Sequence, residues 1–170
     1  MTTEPMNQSM VESQPRFKIT LRQISLLVVA FGIVVSGYLS YVKLTDVPMV
    51  CAENAGFSCE TVQNSPFAEM AGIPIAWLGL ATYLVIGALL LFEKRGELMQ
   101  SYGMLALFGI VFFAFIYSMY LIYVQGVLLQ AWCQWCLFHE TIITILFVLT
   151  SIRFVRHLRA QGELVEDDAV

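Results

Sequence analysis

The sequence predicts an all-α polytopic membrane protein, a four-transmembrane-helix bundle under a lid made from its first outward loop. Three observations predict it. The chain is 58 % hydrophobic and only 13 % charged, against about a quarter charged in an ordinary soluble domain. With 170 residues it cannot hide that much apolar surface in a water-soluble core. Its apolar residues fall into four runs, each near the length that crosses hydrocarbon, about 20 residues. No basic patch with interleaved aromatics is present, so nucleic acid is not an expected partner.

Met1 to Pro15 is polar and predicts a disordered tail, residues 1–15. It lacks an early positive cluster, and no small-residue cleavage site follows the first apolar run, so a retained first helix is expected. Residues 16–159 read as one domain. The first span is Ile24–Val42, uncharged, with Ser36, Gly37 and Ser40 small enough to admit a close neighbour. Leu44 to Pro74 is the long connection. Within it Asn54-Ala55-Gly56 predicts a tight turn. Asn64-Ser65-Pro66 predicts a helix start, with Ser65 as cap and Pro66 in the first turn. Phe67, Met70 and Ala71 would then form the apolar face of a short surface helix ended by Gly72. The second span is Ile75–Phe92, closed by the polar turn Glu93-Lys94-Arg95-Gly96-Glu97. The third is Tyr102–Val124, and an uncharged connection, Gln125 to Ala131, leads to the fourth, Cys133–Phe154. Residues 160–170 read as an acidic C-terminal tail.

Charge placement predicts the orientation. Arg16, Lys18, Arg22, Lys94, Arg95, Arg153, Arg156 and Arg159 fall on one side of a four-span arrangement, and Lys43 falls on the other. The positive-inside rule then puts both termini in the cytoplasm. All four cysteines face outward, which in a bacterial inner membrane is the oxidising, periplasmic side where disulfides persist.

Two cysteines separated by two residues can close a disulfide or ligate a metal. In Trp132-Cys133-Gln134-Trp135-Cys136 the pair heads the fourth span, Cys133 near the cap and Cys136 in the first turn. A helix N-terminus stabilises a thiolate through its unpaired backbone donors. Cys51 and Cys59 form a second pair, which the turn between them could bring within bridging reach. His139 and Glu140 share a helical face with Cys136. Ionisable residues within a span are costly and often functional, yet the two also fit a wet interfacial pair that orients neighbouring helices. Trp132 and Trp135 suit the headgroup level or the wall of a ligand pocket. Cys133, Cys136 and His139 have compact ligand spacing, but the geometry at one helix start is awkward, and no metal is expected.

Taken together, the pair Cys51 and Cys59, Ser65 beyond it, Gly72-Ile73-Pro74, Gly79, Tyr83 and Cys133-x-x-Cys136 resemble the vitamin K epoxide reductase family in its bacterial four-helix form. The resemblance covers about Ser36 to Phe154. It implies that Cys133 and Cys136 form a redox centre beside a quinone, with Cys136 at the ring and Cys133 exchanging with the loop pair. Cys59 would make that mixed disulfide and Cys51 would take electrons from an external thiol. Ser65 would support the centre, as would His139 and Glu140, since quinone reduction consumes protons. Phe67, Ile75, Leu78, Gly79, Tyr83 and Trp135 would line the quinone pocket. Vertebrate epoxide reductases place an asparagine where Ile75 stands and a tyrosine where Glu140 stands. Ile75 cannot donate a hydrogen bond, and Glu140 donates one only when protonated. Plain quinone reduction is therefore expected rather than epoxide reduction.

The expected function is a membrane thiol oxidase and quinone reductase that supports disulfide formation. Its acceptor is ubiquinone or menaquinone. Its thiol donor is a thioredoxin-like or DsbA-like periplasmic protein in trans, because the fused thioredoxin-like domain of many relatives is not in this sequence. Four-helix membrane proteins of the disulfide bond formation protein B type share the task but carry the two cysteine pairs in the reverse order. The alternative from a different class is a non-catalytic membrane subunit with structural disulfides.

Overall fold

A computed structural model describes residues 20–53, 57–93 and 97–167. The predicted N-terminal tail, the Asn54-Ala55-Gly56 turn and the basic residues Arg16, Lys18, Lys94 and Arg95 lie outside the described residues. Among the described residues, four helices are long and apolar enough to cross a membrane. They are α1 (Leu21–Thr45), α3 (Ile75–Phe92), α4 (Glu97–Tyr123) and α5 (Gln134–Asp167). A short helix, α2 (Cys59–Gln63), and a two-stranded hairpin, β1 (Glu69–Met70) and β2 (Ile73–Pro74), lie between the first two.

Helix α1 begins and ends for local reasons. Thr20 and Gln23 form a capping box at the start of α1, and Asp46, with φ 48°, ends it in the left-handed region. At 18 residues α3 is the shortest, about 27 Å long, close to the hydrocarbon thickness. Beyond Tyr123 the chain continues as a π-helical turn, Val124–Leu128, where the sequence predicts an irregular connection. The last helix runs past the predicted end of the fourth span, to Asp167.

Packing follows side-chain size. Helix α1 lies against α3 and α5, α5 lies against α4, and α3 meets α4 less closely. Ser25, Val29, Gly32, Ser36 and Leu39 form the buried stripe of α1. A methyl group added at Gly32 would overlap the ring of Tyr83, so glycine sets how near α1 and α3 come. Large apolar side chains such as Leu27, Val34 and Phe113 point outward, as helices solvated by lipid require. At the end away from the cysteines, Arg153 Nη2 donates to both carboxylate oxygens of Glu93 at 2.6 Å. Arg22 Nε donates to the carbonyl of Leu90 at 2.9 Å, satisfying a free acceptor at the end of α3.

The lid differs from its predicted form. No surface helix spans Phe67 to Ala71. Pro66–Ala68 is a single 3₁₀ turn, and the hairpin follows, with Ala71 (φ 53°) and Gly72 (φ 79°) at its turn. Two successive positive φ values suit a two-residue hairpin turn, and glycine supplies one without steric cost. Ser65 makes no side-chain cap; its hydroxyl donates to the carbonyl of Val62 at 2.7 Å and closes the end of α2.

Candidate active site

The site forms where α2 of the lid meets the head of α5. Cys51 and Cys59 are joined by a disulfide with Cα atoms 6.1 Å apart. Cys133 and Cys136 are free thiols. Cys59 and Cys133 belong to one buried cluster with Val62 and Ala131, and Cys51, Cys136 and Trp135 pack against it. Their exposures differ: Cys59 is 1 % exposed and Cys133 0 %, whereas Cys51 and Cys136 are half-buried.

Backbone hydrogen bonds set this register. Ser58 N donates to the carbonyl of Trp132 at 2.9 Å, so the residues that follow, Cys59 and Cys133, enter the cluster side by side. Val50 O accepts from Trp135 Nε1 at 2.7 Å and from Gln134 Nε2 at 3.3 Å. Ala52 N donates to Gln134 Oε1 at 3.2 Å. Lys43 of α1 reaches the Gln63 carbonyl at 3.4 Å and Glu69 at 3.7 Å, which holds the far end of α2 down.

Cys133 occupies the cap position of α5, and Cys136 N donates to its sulfur at 3.4 Å. Hydrogen bonding with Cys136 draws the Cys133 thiol down to about 7, against the opposing effect of burial. Gln125 Oε1, from the π-turn, accepts from Cys133 N at 3.1 Å. Gln63 Nε2 donates to Cys136 Sγ at 3.5 Å. Cys59 and Gln63 are four residues apart on α2 and so share a face. That face meets Cys133 and Cys136, which are three apart on α5. One short helix thus addresses both members of the second pair.

Beneath the lid is a small cavity walled by Ser36, Leu39, Val62, Gln63, Ser65, Phe67, Ile75, Gln125, Cys136, His139 and Glu140, among others. His139 Nδ1 and Glu140 Oε1 are 4.0 Å apart. Ser36 Oγ and Glu140 Oε2 are buried without a hydrogen-bond partner among the described residues. Buried polar atoms of that kind need a partner.

The family model described as Vitamin K epoxide reductase family matches residues 23–151. This chain belongs to the vitamin K epoxide reductase family. A curated relative, thiol-disulfide oxidoreductase LTO1 of Arabidopsis thaliana, is 32 % identical over 120 residues, 68 % of this chain and 32 % of the relative. The chain thus spans about a third of that relative's length.

Within this vitamin K epoxide reductase fold the predicted site residues take several places. Ser65, Phe67, Ile75, His139 and Glu140 line the cavity beside Cys136. Leu78 and Gly79 line a neighbouring groove between α3 and α4, which shares Ile75, Leu121 and His139 with the first. A methyl group at Gly79 would lie 3.0 Å from His139 Nε2, so glycine makes room for the imidazole. Tyr83 is fully buried, edge-on to His139 with ring centroids 5.4 Å apart, and lines neither space. Trp135 packs at a tilt against Tyr38, ring centroids 4.6 Å apart, and donates to the lid carbonyl of Val50 rather than walling the cavity. The sequence pointed to neither Gln63 nor Gln125. The one available signal was Gln125, an amide directly after an apolar run of spanning length.

Proposed function

We propose that this family member is a membrane thiol oxidase and quinone reductase. It passes electrons from a soluble thioredoxin-like or DsbA-like protein through Cys51-Cys59 and Cys133-Cys136 to ubiquinone or menaquinone. The observation that carries the reading is the shared cluster of all four cysteines, with buried Cys59 beside Cys133 and Cys136 at the wall of a cavity. The likeness to a relative named as a thiol-disulfide oxidoreductase supports the redox class.

In this reading an external thiolate opens the loop disulfide at Cys51, the half-buried member. The released Cys59 thiolate attacks Cys133 when the helix pair is oxidised, and Cys136 leaves as a thiolate. The donor's second thiolate takes back its own sulfur, leaving the donor as a disulfide and Cys51 as a thiolate; Cys51 then attacks Cys59, restoring the loop disulfide and releasing Cys133. A sulfur drawn down to about 7 is a good leaving group, which favours that last step. Two electrons have moved from the external dithiol to Cys133 and Cys136. A bound quinone accepts two electrons and two protons, and the helix pair returns to the disulfide. Cys136 borders the cavity in which the ring would lie. Ser36 and Glu140 would meet its oxygens, and Glu140 would deliver a proton. Leu39, Val62, Phe67, Ile75 and Leu129 would form the apolar part of the cavity wall.

The basic residues favour cytoplasmic termini, with the cysteines on the periplasmic side of a bacterial inner membrane. Purified protein supplied with a reduced thioredoxin-like protein and a quinone should consume quinone and form disulfide in equal amounts. A chain in which both bridges stay fixed while neither substrate is consumed would instead be a structural subunit.

A further inference from the structure

The outer face of the lid carries an open groove that none of the steps above uses. Its floor includes Leu39, Val42 and Met49, and its rim carries Asp46, Glu53 and Glu60. Cys51 lies on its edge, whereas Cys59 does not line it and is 1 % exposed. A nucleophile arriving through this groove therefore meets one sulfur of the loop disulfide. Lys43, also on the rim, is engaged by Glu69 and the Gln63 carbonyl. Asp46, Glu53 and Glu60 are exposed and have no ion-pair partner among the described residues. From Lys43 to Pro74 the chain carries four carboxylates and one amine. The sulfur that faces solvent thus stands in a negative field over an apolar floor.

The geometry points to this groove as the docking site for the thiol donor, a soluble dithiol protein whose surface around its reactive thiol is basic. This rests on the redox reading above and adds the charge of the partner. Basic side chains on the partner would meet Asp46, Glu53 and Glu60 while an apolar neighbour of its thiol sits on the Met49 floor. The partner's thiolate attacks Cys51 Sγ. The Cys51–Cys59 bond breaks, a partner–Cys51 disulfide forms and Cys59 leaves as a thiolate. The partner's second thiol loses its proton and attacks its own bridged sulfur, so the partner ends as a disulfide and Cys51 as a thiolate. Rim charges act chiefly on association rate and are screened by salt.

The test compares the wild type with the Glu53→Lys/Glu60→Lys double variant in quinone-reduction assays at low and high salt. Three reductants are used: neutral dithiothreitol, a soluble thioredoxin-like protein with lysines flanking its Cys-x-x-Cys, and the same protein with those lysines changed to glutamates. The double variant should lose about tenfold in kcat/KM with the lysine-flanked protein at low salt. That loss should shrink in high salt, and the glutamate-flanked protein should gain. Dithiothreitol turnover should not change, which also reports correct folding. Glu53→Gln/Glu60→Gln should fall between. Equal losses with dithiothreitol and protein, or no change with either, overturn the docking assignment while the redox reading stands. Wild-type protein that reduces quinone with none of the three reductants overturns the redox reading and this inference with it.

Discussion

Replacing Ser58 by proline should weaken the meeting of Cys59 with Cys133 by a predictable amount. The substitution deletes the N–H that reaches the Trp132 carbonyl at 2.9 Å. A single hydrogen bond contributes about 1 kcal/mol net, or about a fivefold change in the docked population of α2. Proline adds strain, because Ser58 has φ −128° and the ring prefers about −65°, so fivefold is a lower bound. The clean background is Cys51→Ala/Cys136→Ala, in which Cys59 and Cys133 are the two cysteines left. Held in one buried cluster, they should bridge at an effective concentration of about a millimolar or more. Titration against glutathione, read by mass spectrometry without reductant, gives the midpoint of the Cys59–Cys133 bridge. Ser58→Pro should raise that midpoint by about 20 mV or more, since a tenfold change corresponds to about 30 mV for two electrons. Coincident midpoints would refute the idea that this backbone bond sets the register of the relay. Failure of the bridge to form in the parent background would refute the adjacency itself.

Three further outcomes follow from the same geometry. Glu140→Gln should slow quinone reduction by about 100-fold, the usual scale of a lost general acid, while thiol exchange between the two pairs stays intact; an unchanged rate would remove the carboxyl from the proton path. Gly32→Val should destabilise the bundle by about 1–3 kcal/mol through overlap with Tyr83, seen as a lower midpoint of thermal unfolding in detergent. Because the Cys133 thiol is drawn down to about 7, its thiolate fraction rises as pH passes upward through that value. Its single-turnover exchange rate should therefore level off about one pH unit above that value, where an unperturbed thiol, with a pKa of about 8.5, would still be gaining; stopped-flow mixing with a disulfide-bonded dye separates the two profiles.

The four spans were legible because lipid imposes a local rule: about 20 uncharged residues in a row need no distant partner to be recognised. The position of Cys133 and Cys136 at a helix head was legible for the same reason, since the apolar run begins beside them. The lid was not, because its conformation is decided by residues far along the chain. Ser58 takes its register from Trp132, and Gln63 is aimed at Cys136. The hairpin, by contrast, had a local signal in Gly72, which the turn uses at φ 79° and which reads in sequence as the end of a surface helix. Tyr83 and Trp135 carried the right residue types for a pocket wall, but packing against Gly32 and Tyr38 turned them to other tasks. Gln125 faces Cys133 because the chain there winds as a π-turn, which no local pattern announces.

The central claim is that the loop pair feeds the helix pair, which alone reduces quinone. Cys59→Ala, with its helix pair pre-reduced, tests this most directly when mixed with quinone and a reduced thioredoxin-like protein. The account predicts a burst of about one quinol per protein, as one dithiol supplies two electrons, and then no further turnover. Sustained turnover from the protein thiol, or no burst at all, would contradict it.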